Sequence, residues 1–303
     1  MIKINTEIEE KKYYTCRYDR AFKEVFLKEK NKDLLKDLLE LILDVKINGI
    51  VLNPNERNTG NLDIRRKTYD ALLTTNIGKI QIEVNANNEN YVRPRNTAYI
   101  CDLYSHSTLV GNQYNEETMF IQINLSYGLS KNGKPIRRYK IRDEEGKEFV
   151  KNLEIIEVNM EYFVNLWYNY EKEKNEYLID KNKLLIMLGL EKEDLEKLSN
   201  KYMEVNKFMD ELNKINEDPQ FRVYMTYEED QEKIFNSRMA EADRKGMEKG
   251  MKKGIEKGIK EGIEKGKKEE KIEIAKNALN DGINIETISK ITGLSIEEIE
   301  KLQ

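Results

Sequence analysis

The sequence predicts an α/β core followed by a helical extension, a long glycine-stepped helix and a small C-terminal helical module. Three observations carry this. Apolar spacing switches from helical to alternating and back along the first half of the chain, and turn residues separate the segments. Beyond residue 164 the periodicity stays helical, and glycine then recurs every fourth residue from Gly246 to Gly266.

The first helix covers 19–26, where Phe22, Val25 and Phe26 share one face while Asp19 and Lys23, at i and i+4, share another. A second helix follows through Leu34, Leu35, Leu38, Leu39 and Ile42, and the apolar run 47–52 reads as a strand. Residues 69–75 and 79–85 read as the two strands of a hairpin, with Asn76 and Gly78 supplying the turn. Residues 92–104 then read as a helix delayed by Pro94, and 119–125 and 153–158 as further strands. Helical spacing fills 164–209, including Leu184, Leu185, Met187, Leu188 and Leu195.

Between the last two strands, residues 128–134 match a phosphate-cradling loop as far as Lys134. Pro135 then stands where a Ser or Thr hydroxyl is required, so the segment is read as a solvated turn. Arg137, Arg138, Lys140 and Arg142 follow, either on a solvated edge strand or within reach of phosphates.

In the tail, Met247, Met251, Ile255, Ile259 and Ile263 each follow a glycine of the four-residue series. On a helix of about 3.6 residues per turn such a stripe winds around the axis by about 40° per repeat. Each interior glycine costs roughly 1 kcal/mol relative to alanine. The segment is therefore expected to be marginal alone and to dock on another copy, a partner protein or the preceding domain, unless it is a frayed charged linker. Interleaved Lys and Glu exclude membrane insertion. Residues 271–280, 284–292 and the capping box Ser295–Glu298 predict three short helices resembling a helix-turn-helix. The last of them is acidic, which favours protein contact over reading DNA.

Composition removes several function classes. A net charge of −4 gives no global basic field to draw the chain onto nucleic acid. Two cysteines, Cys16 and Cys101, exclude a disulfide framework and a cysteine-rich zinc site. No apolar h-region opens the sequence and no run of about 18 apolar residues occurs, so a soluble cytoplasmic protein is expected. His106 is the only histidine, which disfavours triads and multi-histidine metal sites.

The remaining place for chemistry is the hairpin. Side chains alternate along a strand, so Gln81, Glu83 and Asn85 share one side while Ile80, Ile82 and Val84 share the other. If the strands pair, Asp70 approaches Glu83. Two ionised carboxylates that converge repel each other, and a shared proton or a divalent cation relieves this; magnesium needs only one or two protein carboxylates. By spacing alone, the same residues also read as ordinary polar positions on a solvated sheet face.

Asp19-x-x-Phe22-Lys23-x-x-Phe26, the hairpin from Asp70 to Glu83-x-Asn85, Arg95-x-x-x-Tyr99, Gly111-x-x-Tyr114 and the glycine-stepped tail occur in one order. In this the sequence resembles the recombination-promoting nuclease, or transposase, branch of the PD-(D/E)XK nucleases. The resemblance covers about 19–163 and again 246–303. It implies a restriction-endonuclease-like core with a mixed central sheet flanked by helices. It further implies that Asp70 and Glu83 bind Mg2+, or Mn2+, and that water attacks a DNA phosphodiester there. Asn85 matches the third motif position, often lysine in the superfamily and glutamine in this branch. An amide supplies no positive charge, so Lys23 or Lys79 is expected to provide it. Lys23, Arg95 and Tyr99 are the expected DNA contacts, with an ordinary helix-face contact the other reading of Arg95 and Tyr99, and Asp19 reads either as an outer acid or as a helix-surface partner of Lys23.

The expected organisation is a nuclease-like core over 1–170, a helical extension over 171–238, a glycine-stepped linker over 239–270 and a three-helix module over 271–303. The expected function is a magnesium-dependent DNA endonuclease of low sequence specificity. A catalytically inactive DNA-binding or protein-interaction relative is the alternative.

Overall fold

The computed structural model describes residues 12–54, 56–57, 67–105, 117–173 and 175–302. Its contacts divide the chain into two compact units, Met1–Arg222 and Val223–Gln303. The first unit opens with α1 (Asp19–Phe26), a 3-10 turn (Glu29–Asn31) and α2 (Lys32–Leu43). Five short or medium strands follow: β1 (Ile50–Leu52), β2 (Glu56–Arg57), β3 (Lys67–Thr68), β4 (Ala71–Thr75) and β5 (Gly78–Asn85). Next come α3 (Val92–Ser105), β6 (Met119–Ser126), β7 (Ile136–Tyr139) and β8 (Leu153–Asn159). Helices α4 (Met160–Glu173), α5 (Glu176–Gly189), α6 (Lys192–Ser199) and α7 (Met203–Glu217) complete the extension, and α8 (Pro219–Asn280) begins beyond them.

Six strands form a mixed sheet in the order β1-β4-β5-β6-β8-β7, while β2 and β3 pair separately. β5, β6 and β8 run parallel; β4 joins β5, and β7 joins β8, antiparallel. One face of the parallel strands is aliphatic: Ile80, Ile82, Val84, Ile121, Ile123, Leu125, Ile156 and Val158 are all buried. Burying such a side chain is worth roughly 1.5–3 kcal/mol, so this face supplies much of the stability. α1 and α4 contact β5 and β6. α3 covers the other face, where Ile100 and Leu103 pack on Leu72 and Phe120. Towards the carboxyl ends of the strands that second face turns polar, and the buried Glu83, Asn85, Asn124, Ser126, Glu157 and Asn159 lie there. The α/β class and the helical extension expected from the sequence are therefore what the chain adopts.

Several elements differ from expectation, among them the first hairpin strand, expected over 69–75, which begins only at Ala71 and leaves Tyr69 and Asp70 before it. The strand expected over 47–52 begins only at Ile50, because side chains occupy the earlier backbone groups. Glu40 Oε1 accepts from Ile47 N at 2.9 Å and Asn76 Oδ1 from Asn48 N at 2.9 Å. Pro94 does not delay α3 but sits inside its first turn, where a missing N–H leaves no bond unmade. The short helix expected over 271–280 is the end of α8, since nothing between Pro219 and Asn280 forbids continuation. The turn expected over 128–135 is present, with Gly128 at φ +74°.

In the second unit, the last turns of α8 pack with α9 (Ile285–Thr292) and α10 (Ile296–Glu300) around Ala275, Ile288, Leu294 and Ile299. Gly293, at φ +70°, ends α9. Ser295 and Glu298 form the expected capping box, with reciprocal bonds of 3.2 and 3.0 Å. Along α8, Met247, Met251, Ile255, Ile259 and Ile263 remain exposed. None of the described helices is long and apolar enough to cross a membrane.

Two glycines should respond oppositely to alanine. A Cβ at Gly254 meets open space, so Gly254→Ala should raise local helix stability by about 1 kcal/mol, read as slower amide exchange along α8. Gly78 has φ +143° and a Cβ there would collide with the Met119 carbonyl. Gly78→Ala should lower the urea midpoint of the first unit, at a cost of roughly 1–3 kcal/mol.

Candidate active site

The β4–β5 ladder ends at the pair Ala71–Ile82, and Asp70 stands one residue beyond it. Its carboxylate takes the place of the next ladder acceptor: Val84 N donates to Asp70 Oδ2 at 2.8 Å. The Asp70 backbone N–H in turn bonds to the Glu83 carboxyl. Glu83 Oε1 also accepts from Gln81 Nε2 at 2.9 Å. Both acids are nearly sealed from solvent, Asp70 at 8% and Glu83 at 3% exposure, so the solvated-face reading does not hold.

One ammonium serves two of the acids. Lys23 Nζ lies 2.8 Å from Asp70 Oδ1 and 3.0 Å from Asp19 Oδ2. Burial works against the Lys23 charge, but the Asp70 and Asp19 carboxylates outweigh it and hold the ammonium above its ordinary pKa. Burial also raises the Asp70 carboxyl, while Lys23 pulls it back. Glu83 has no such ion pair among the described residues. Burial and then the Asp70 charge push its carboxyl up to about 8, against the Gln81 hydrogen bond and the Arg95 charge. Burial and the crowding of Asp70 with Glu83 and Asp19 thus favour the protonated form within this acid pair.

Asn85 faces the same way as Glu83 and is held from two elements. Arg95 Nη2 donates to Asn85 Oδ1 at 2.7 Å, and Asn96 Nδ2 donates to the same oxygen at 3.2 Å. Asn85 Nδ2 lies 3.4 Å from Ser126 Oγ. The Arg95 guanidinium sits 5.9 Å from the centre of the Tyr99 ring, as i,i+4 spacing on α3 requires. Tyr99 meets Tyr69 edge-on at 5.6 Å, and Tyr69 donates to Asp102 at 2.6 Å, which anchors α3 beside Asp70.

Thus Lys23, Asp70, Glu83, Asn85, Arg95 and Tyr99 come together around the end of the hairpin. Lys79 does not join them: it precedes Glu83 by four strand residues, about 13 Å by the rise per residue. His106, Gly111 and Tyr114 lie outside the described residues. Three members of the basic cluster are engaged structurally. Arg138 bonds the Ile42 and Leu43 carbonyls at the end of α2, at 3.0 and 3.2 Å, while Lys140 and Arg142 pair with Glu148. Sequence reading put Gln81 on the side of Glu83 without giving it a role, and missed Asn96, Gln122, Asn124 and Ser126. The alternation Gln122-x-Asn124-x-Ser126 repeats the Gln81-x-Glu83-x-Asn85 pattern on a strand that had to be buried, and this was the available signal.

Two adjoining carboxyls, both pushed by burial towards their neutral forms, form a donor set suited to a divalent cation. No group of three ligating His, Cys, Asp or Glu side chains occurs among the described residues. A cation here would therefore complete its shell with water, backbone and phosphate oxygens.

A family model described as PD-(D/E)XK nuclease family transposase matches residues 16–254. The chain belongs to this family. The match spans α1, the whole mixed sheet and much of α8. A second model, described as the C-terminal HTH domain of the Rpn/YhgA-like nuclease family, matches residues 268–303 and so takes in the packed ends of α8, α9 and α10. No curated protein and no solved structure matches the chain. PD-(D/E)XK nucleases generally use divalent metals, in keeping with the acid pair.

The raised Glu83 pKa fixes a stability trend in metal-free protein. A carboxyl whose folded pKa lies above its unfolded value favours folding below about pH 4.5 and loses that contribution as pH rises towards 8. Thermal unfolding should therefore show a falling Tm between pH 5 and 8. Glu83→Gln, which keeps an acceptor for Gln81 and cannot ionise, should flatten that slope.

Proposed function

We propose that this PD-(D/E)XK family member is a magnesium-dependent DNA endonuclease of low sequence specificity, with Asp70 and Glu83 as the cation-holding pair. The observation that carries the reading is the meeting of those two buried acids at the end of the β4–β5 ladder, with Lys23 2.8 Å from the first. Bound magnesium would neutralise charge on the phosphate and lower the pKa of water.

The protein's own groups set the conditions for that chemistry. Glu83 must release its proton for the pair to hold a cation, and the Arg95 charge assists this. Lys23, balanced between Asp19 and Asp70, supplies a fixed positive charge beside the position of the substrate phosphate. Asn85 carries no charge where many relatives have lysine. Arg95, bonded to Asn85 at 2.7 Å, brings a cation to the same place. Tyr99 steadies that guanidinium, and in this reading both side chains would meet the DNA backbone, which carries no sequence information. The two cysteines, Cys16 buried and Cys101 exposed, are unpaired, which suits a reducing cytoplasm.

The neutral Asn85 is the observation behind a second reading, in which the fold persists as a DNA-binding or protein-interaction relative without turnover. Plasmid incubated with the protein decides between them. Nicking should require Mg2+ or Mn2+ and fall on the order of 100-fold or more in Asp70→Ala and in Glu83→Ala. Gel retardation that needs no metal and leads to no cleavage would establish the binding relative instead.

A further inference from the structure

On the same sheet face as the acid pair, a cavity of about 190 Å³ opens between α3 and strands β6, β8 and β7. Arg93, Asn96, Asn124, Tyr139, Ile155 and Glu157 line it. At roughly six times the volume of a liquid water molecule it is smaller than the pockets of drug-sized ligands and suits a single ring system.

The cavity is wired to the site. Asn96 Nδ2 donates to Asn85 Oδ1 at 3.2 Å on one side and to Asn124 Oδ1 at 3.1 Å on the other. Sheet register aligns Glu83, Asn124 and Glu157, so Glu157 stands two strand spacings, about 10 Å, from Glu83. A nucleotide whose phosphate is held at the acid pair can direct its base towards this opening.

The lining presents both kinds of hydrogen-bonding group. Glu157 is a buried acceptor, bonded by Tyr139 Oη at 3.0 Å and only loosely by Arg93 Nη2, at 3.3 and 3.4 Å. Arg93 is largely exposed and so can exchange that contact for another. Asn124 Oδ1 accepts from both Asn96 and Gln122, which leaves the Asn124 amide N–H groups without an acceptor among the described residues. Tyr139 adds an aromatic wall and Ile155 an apolar one. A planar heterocycle with an N–H beside a carbonyl answers this set. Guanine does so best: its N1–H and N2–H donate to Glu157 while its O6 accepts from Asn124 or Arg93. Adenine lacks the carbonyl.

We propose that this cavity receives one unstacked guanine of the nucleic-acid substrate, adjacent to the bond being cut. The assignment rests on the nuclease reading for its substrate class but not for its binding test. Enzymes that act on an unstacked base commonly read its Watson–Crick edge in such a pocket.

Metal-free full-length protein titrated calorimetrically with dGMP and dAMP tests the pocket directly, because the phosphate is common to both. dGMP should bind about 10-fold or more tightly than dAMP. Glu157→Gln should reduce that preference to below about threefold. Thr97→Trp, an exposed position on the cavity rim, should fill the opening and remove the preference without disturbing the core. Equal affinities, or a preference untouched by Thr97→Trp, would overturn the assignment. Sequencing the ends of digested random single-stranded DNA separates the two readings. Guanine should be enriched at one fixed position beside the cut in wild type and not in Thr97→Trp. Cleavage with no such enrichment overturns the pocket alone, and dGMP preference without any cleavage overturns the nuclease alone.

Discussion

A row of polar side chains is buried on one face of the parallel strands, and the hydrogen bonds among them are what the rest of the site depends on. A buried polar group left unpaired costs about 1–3 kcal/mol, so the row persists only because its members satisfy one another. Gln81 holds Glu83, Gln122 holds Asn124, and Asn96 reaches from α3 to both Asn85 and Asn124. The opposite face, aliphatic from Ile80 to Val158, bears the stability that lets this face be chemically specialised. The row is not wholly satisfied. The side-chain oxygens of Gln81 and Gln122 accept no bond among the described groups, and both stand on that same face.

Unequal strand lengths give Asp70 its position. β4 has five residues and β5 eight, so the edge of β5 near Val84 loses its partner just where Asp70 begins. An acidic side chain can then act as a substitute rung and remain next to Glu83. The same arrangement explains why Lys23, on a different element, reaches it: the carboxylate lies at the end of the ladder rather than deep within a strand pairing. Fold geometry, more than the identity of any single residue, brings the three charged groups to one point.

Much of the core was legible in advance. Period-two spacing in 79–85 fixed which residues share a side with Glu83, and the helical spacing of Phe22, Val25 and Phe26 left Asp19 and Lys23 together. Less legible was anything set by tertiary contact. Lys79 looked as suitable a cation as Lys23, since sequence gives no account of which helix packs beside the hairpin. Arg138 read either as a solvated edge-strand residue or as a phosphate contact, yet it closes the carbonyl end of α2, a role that only the placement of β7 reveals. Asn96 carries no local pattern linking it to Asn85, and the alternation that includes Asn124 does not say which side chains it meets. Their connection needs a helix laid across two parallel strands.

The exposed stripe on α8 has a handedness. Its apolar residues recur every four positions, a longer interval than the helix's own turn of about 3.6 residues. Sequences with repeats longer than the natural turn impose a right-handed supercoil, opposite to the left-handed winding of heptad-based pairs. Any helix that followed this line from Met247 to Ile263 would have to coil in that rarer sense, and the glycines beside it are what would allow the two backbones to draw close enough to do so.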